Sequence, residues 1–158
     1  MQTKFIVVWV AVLLAALAGF PPVAAQPGAM AVVVNEKNPV NNLSMAELRT
    51  LFAGEKHFWA GRLPVKLFVR ARGAYERVVL LKLLGMSESE YKQYWIAQVF
   101  RGEAETEPVA LFSNGMQKEA VTAYPGALAL VSSQDIKPGM KVVRVNGHAP
   151  GEAGYPLN

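Results

Sequence analysis

Two arginines and a glycine, set between a buried strand and a helix, are the residues of this chain best placed to do chemistry. The stretch VKLFVRARGAYERVVLLK, residues 65–82, reads as an apolar strand at 65–69 and a short basic turn with Arg70, Arg72 and Gly73, followed by a helix. A strand feeding a helix through a glycine turn aims the helix's unpaired N–H groups at one spot, and the helix dipole favours an anion there. Arg70 and Arg72 reinforce that preference, and the backbone of Gly73, Ala74 and Tyr75 supplies the donors. Glu76 carries the opposite sign into the same first turn, where acids are ordinary dipole partners. It can equally pair with Arg70, Arg72 or Arg77. Two readings follow: a structural charge cluster, or an altered anion site on Arg70, Arg72 and the backbone N–H groups. Ser113 and Asn114, ahead of another helical stretch, are a second set of donors, which helix capping also explains.

Other chemistry has little to work with. His57 and His148 are the only histidines and cysteine is absent, so neither a metal centre nor a thiol nucleophile is expected. There is no Gly-x-Ser-x-Gly, phosphate loop or dinucleotide fingerprint, so an enzyme and a cofactor are not expected. Glu103, Glu105 and Glu107 form a compact acidic loop without the Asp/Asn ligands of a calcium loop. No run of Lys and Arg marks nucleic-acid binding.

The elements that must position the turn come next. Lys4 precedes an apolar run over residues 5–18, ended by Gly19, Phe20, Pro21 and Pro22, and Val23-Ala24-Ala25 stands before Gln26. This pattern predicts a secretory signal peptide at 1–25. The run falls short of the ~20 residues needed to span hydrocarbon, so cleavage is expected rather than a retained anchor, and no membrane span thereafter. Its removal takes one lysine from a formal charge of +4 and leaves +3. Residues 26–158 are enough for a single domain with one core.

Within that domain, residues 31–34 read as a strand and 35–42 as turn chemistry. Ser44 and Glu47 make a capping box, with Leu48, Leu51 and Phe52 as the buried stripe and Gly54 as the stop. His57, Phe58 and Trp59 follow, lining a cleft or plugging the end of the core. The helix after Gly73 is apolar on several sides, which predicts an interior position, and Gly85 ends it. Ser87 and Glu90 make a second capping box, with Tyr91, Tyr94, Trp95 and Val99 facing the core. Residues 109–112, 127–132 and 141–145 read as strands. A fourth helix between them is expected to be capped by Asn114 and Gln117 and to bury Met116, Ala120, Val121 and Tyr124. The tail, 148–158, is rich in Gly and Pro and is expected to be loose. Alternating strands and helices predict an α/β layer fold with a mainly parallel sheet.

Several short motifs in order resemble the phosphate-binding proteins of ABC transporters. They are Asn38-Pro39-Val40, Leu43-Ser44-x-x-Glu47-Leu48, Phe52-x-Gly54, Trp59, the turn from Arg70 to Gly73, and Pro125-Gly126-Ala127. The resemblance spans residues 32–145. It implies a three-layer α/β/α lobe of a type II periplasmic binding protein with a mainly parallel or mixed sheet. Full members are about twice as long, so the chain resembles one lobe alone. The family's turn resembles Arg-x-Asp-Gly-Ser-Gly-Thr, and here Arg70 and Gly73 match. Arg72 stands at the aspartate, Ala74 at the serine, Tyr75 at the second glycine and Glu76 at the threonine. Two hydroxyl donors are gone. At ~1.5–3 kcal/mol for each charge-assisted hydrogen bond, their loss implies roughly two to four orders of magnitude in affinity.

Two functions remain in view. In the first, the chain is a secreted periplasmic protein like the substrate-binding proteins of ABC transporters. It holds phosphate or another small oxyanion on a degraded turn formed by Arg70, Arg72, Gly73, Ala74 and Tyr75, with Ser113 and Asn114. In the second, it is an interaction or sensor-accessory module that keeps the scaffold and binds an envelope protein or a second copy of itself. That surface would include Phe58, Trp59 and Tyr75.

Overall fold

A computed structural model describes residues 28–158, so the expected signal peptide at 1–25 lies outside the described residues. The sequence MAVVVN forms strand β1, Met30–Asn35, every residue of which is buried. Asn35 and Asn38 then accept from the backbone N–H two residues on, and these turns send the chain back. Next come β2 (Asn42–Leu43), α1 (Met45–Phe52), β3 (Lys66–Arg70), α2 (Tyr75–Leu84) and α3 (Glu88–Phe100). The chain closes with β4 (Val109–Leu111), α4 (Asn114–Ala123), β5 (Ala127–Ser132) and β6 (Met140–Val145).

The six strands form one mixed sheet in the order β2-β6-β1-β5-β3-β4. β1 runs antiparallel to β5 and β6, while the other pairings are parallel. Five strands therefore share a direction, and β3, β4 and β5 end on the same edge. The period of two along β1 divides the core. Met30, Val32 and Val34 face one layer with Leu48, Phe52, Leu80 and Trp95, from α1, α2 and α3. Ala31 and Val33 face the other with Phe68, Leu111 and Val121, beneath α4. This is the expected three-layer α/β/α arrangement, with three helices on one face and one on the other.

Both capping boxes form, at Ser44–Glu47 and Ser87–Glu90. Trp59 is 5% exposed and donates from Nε1 to the Gly126 carbonyl at 2.9 Å, plugging the end of the core. A Cβ on Gly126 would sit 1.8 Å from the Pro64 carbonyl oxygen, so only glycine lets these two loops meet.

Four local expectations are corrected. The tail is docked: Tyr155 and Leu157 are buried, Tyr155 Oη donates to Met30 O at 2.6 Å, and Met30 N donates to Leu157 O at 3.0 Å. Its Gly and Pro residues make turns that return an aromatic anchor to β1. α2 is a surface helix: it buries Leu80 and Leu83 but leaves Val78 exposed, because only one side of it meets the sheet. Val99 of α3 is likewise exposed, and Gln98 is buried in its place. On α4 the inward positions are Gln117 and Val121, while Met116 and Tyr124 are exposed. Gln117 tolerates burial because its Nε2 donates to Leu130 O at 2.8 Å.

Candidate functional site

β3 and β4 are neighbours, with Arg70 paired in register with Leu111, so the turn after β3 and the start of α4 lie together at the carboxyl edge of the sheet. In parallel sheets this is the edge where helix N-termini converge and ligands bind. The turn is closed by Ala74 N donating to Ala71 O at 3.3 Å, and Gly73 takes φ 88°. No atom lies within 4 Å of where its Cβ would be, so the backbone angle alone calls for glycine. α2 starts at Ala74, which has no side-chain oxygen to accept from the first N–H groups. α4 starts differently. Ser113 accepts from Met116 N at 3.1 Å and is the cap, whereas Asn114 and Gln117 are not.

Asn114 instead turns its Oδ1 to Arg70, whose Nη1 donates to it. Arg70 Nε is buried and has no partner among the described residues. The structure thus joins the first and last of the candidate residues, 44 positions apart. Arg72 and Arg77 go elsewhere. Arg77 makes a two-pronged bond to Glu88 at 3.0 and 2.8 Å, and its guanidinium lies 4.2 Å over the Tyr91 ring. Arg72, largely exposed, reaches the same Glu88 at 3.5 Å. The Arg77 hydrogen bonds hold the Glu88 carboxyl below its ordinary range, against a smaller opposing effect of burial. Burial works against the charge on Arg77, but its contacts with Glu88 and Tyr91 together raise it above its usual value.

Glu76 takes no part in this cluster. It is 8% exposed and makes no ion pair or side-chain hydrogen bond among the described residues. It lines a crevice with Phe52, Arg70, Leu80 and Leu130 that has no room for a water molecule. The expected pairing with Arg70, Arg72 or Arg77 is not made: Arg72 and Arg77 turn to Glu88, and Arg70 turns to Asn114. The reason is helical phase: Glu76 shares the sheet-facing side of α2 with Leu80, whereas Arg77 faces α3.

The surface expected from Phe58, Trp59 and Tyr75 does not assemble. Trp59 is in the core, Phe58 sits beside the amino end of β3, and Tyr75 stands at the carboxyl end. Sequence reading missed Phe112, which follows β4 and is 74% exposed beside the candidate turn, where Tyr75 is 56% exposed. Nothing local distinguishes Phe112 from a buried strand residue.

A hollow of about 560 Å³ lies at the opposite end of β3, between Phe58 and Lys66 on one side and Glu103, Glu105 and Glu107 on the other. Charges of both signs line it without a shared target, so the carboxyl edge, where donors converge, is the better candidate. Among the described residues, no three His, Cys, Asp or Glu side chains gather as a metal site would need. None of their helices is long and apolar enough to cross a membrane.

No family model matches the sequence. Solved structures do match. An ABC-type phosphate transport receptor from Vibrio cholerae superimposes with a TM-score of 0.63 at 20% identity, over 78% of this chain and 48% of that one. The PstS protein from Borrelia burgdorferi gives 0.58 at 15% identity, over 78% of this chain and 49% of that one. A phosphate binding protein from Stenotrophomonas maltophilia gives 0.56 at 17% identity, over 78% and 40%. The chain therefore has the α/β fold of these binding proteins and spans half of their length or less.

Proposed function

We propose that this protein is exported through a cleaved signal peptide at 1–25 and acts in the periplasm as a one-lobed, substrate-binding-like protein. It would hold phosphate or another small oxyanion without catalysing a reaction. The observation that carries this reading is Arg70. It ends β3, donates from Nη1 to the first residue of α4, and stands beside the uncapped start of α2. The anion would rest on Arg70 and the backbone N–H groups of Gly73 and Tyr75, with Ser113 and Asn114 on the far side. Ala74 and Glu76 contribute no hydroxyl donor where the matching family turn has serine and threonine, so affinity is lower than a complete site would give.

Titration calorimetry with phosphate and then sulfate at low salt tests this. Binding with a Kd of about 0.1 mM or tighter, lost in Arg70→Ala, is the expected result. No heat at millimolar phosphate defeats the anion reading. N-terminal sequencing of the exported protein checks cleavage before Gln26.

A second reading has its own support. Tyr75 and Phe112 stand exposed on either side of the same turn, and exposed aromatics beside polar groups are common at protein interfaces. In that reading the lobe is a scaffold that binds an envelope protein, and Tyr75→Ala with Phe112→Ala abolishes the contact while leaving the melting temperature in place.

A further inference from the structure

One side of the sheet ends in β4, whose outer edge pairs with no strand among the described residues. Leu111 turns its carbonyl inward to Ala71 N at 2.9 Å. Because successive residues alternate, the N–H and C=O groups of Ala110 and Phe112 point out of the sheet, as does the C=O of Pro108. The run Pro108-Val109-Ala110-Leu111-Phe112 carries no charge, and Val109, Ala110 and Phe112 are exposed. An apolar edge of this kind is a template for another strand. The charges flanking it differ in sign. Glu103, Glu105 and Glu107 precede the run, and Arg70 with the N-terminus of α4 follows it.

We propose that β4 is an interface between two copies of this chain, paired antiparallel about Ala110 on a twofold axis. The two six-stranded sheets then become one. Ala110 exchanges both backbone bonds with the partner's Ala110. Phe112 N–H donates to the partner's Pro108 carbonyl, so the N–H that proline lacks is needed only by the Phe112 carbonyl, which stays in water. The register sets Glu107 opposite the partner's Ser113, where the helix dipole and Arg70 supply positive potential. The same contact repeats on the other side of the axis, as an isologous interface requires. A parallel pairing would bring the acidic loops together. The proposal does not depend on anion binding.

Sedimentation analysis of the protein expressed from the full chain tests it, at up to about 0.5 mM protein, the range for a small interface. A monomer–dimer equilibrium is expected. Ala110→Pro removes an outward N–H and no ladder bond, and should raise the dissociation constant at least about tenfold. Glu107→Lys, in an exposed loop, should raise it several-fold at low salt, an effect that fades at about 0.5 M salt. If Ala110→Pro fails to fold, Glu107→Lys and its salt dependence decide. A protein monomeric across the range, or a dimer indifferent to either folded variant, overturns the proposal.

Discussion

Two helices start at the same sheet edge, on neighbouring strands, and they start differently. α4 is closed by its own sequence: Ser113 caps Met116 N, and Asn114 is taken up by Arg70. α2 is open, since Ala74 caps nothing, and the acid in its first turn, Glu76, is turned toward the sheet. A closed start needs no ligand. An open one leaves N–H donors to water or to an anion. In the proposed reading the anion sits at α2, and α4 has the supporting role of holding Arg70.

The comparison breaks first if the support behind α2 is removed. Arg77→Ala should destabilise the protein by about 3 kcal/mol, because it strips a buried, two-pronged partner from Glu88 and uncovers Tyr91; urea unfolding measures this. Gly73→Ala should cost roughly 1–2 kcal/mol from backbone strain alone, and its anion affinity should fall with it. The two caps then give opposite signs. Ser113→Ala should lose about 1 kcal/mol, whereas Ala74→Ser should gain up to ~1 kcal/mol by closing the open start. Calorimetry on Ala74→Asp sharpens this further: a built-in carboxylate should compete with added phosphate and weaken it.

The smallest effect expected is on pH dependence. Glu88 has a folded pKa below its ordinary value of 4.5, with the Arg77 hydrogen bonds as the chief cause. A depressed carboxylate stabilises the fold above the unfolded value and loses that contribution as pH falls through the folded one. Glu47 and Glu90 are depressed as well, by their capping serines. Wild type should therefore lose stability between about pH 5 and pH 3, and Arg77→Ala should lose less over the same window. Equal losses would mean that Arg77 is not what holds Glu88 ionised.

Much of the fold was legible. The four helices and the five longer strands were found within a residue or two, because capping boxes, glycine stops and apolar runs are local signals. β2 was not, since two residues carry no period. Helix faces were less legible: Gln117 and Gln98 took inward positions that hydrophobicity assigns to Met116 and Val99. Of the site, Arg70 and Asn114 were both named in advance, but their contact was not. The opposite happened to Trp59, which the same reading placed both in the core and on a docking surface, and only the core was right.

What the sequence determined by itself are features settled among residues a few positions apart: where helices begin and end, which strands are buried, and that a basic glycine turn follows β3. The tertiary structure decided the rest. Arg70 meets Asn114 across 44 positions, Arg77 meets Glu88 rather than Glu76, and Tyr155 closes on Met30 across 125. These contacts depend on strand order and helix phase, which follow from how whole elements pack against one sheet and leave no mark in any local pattern.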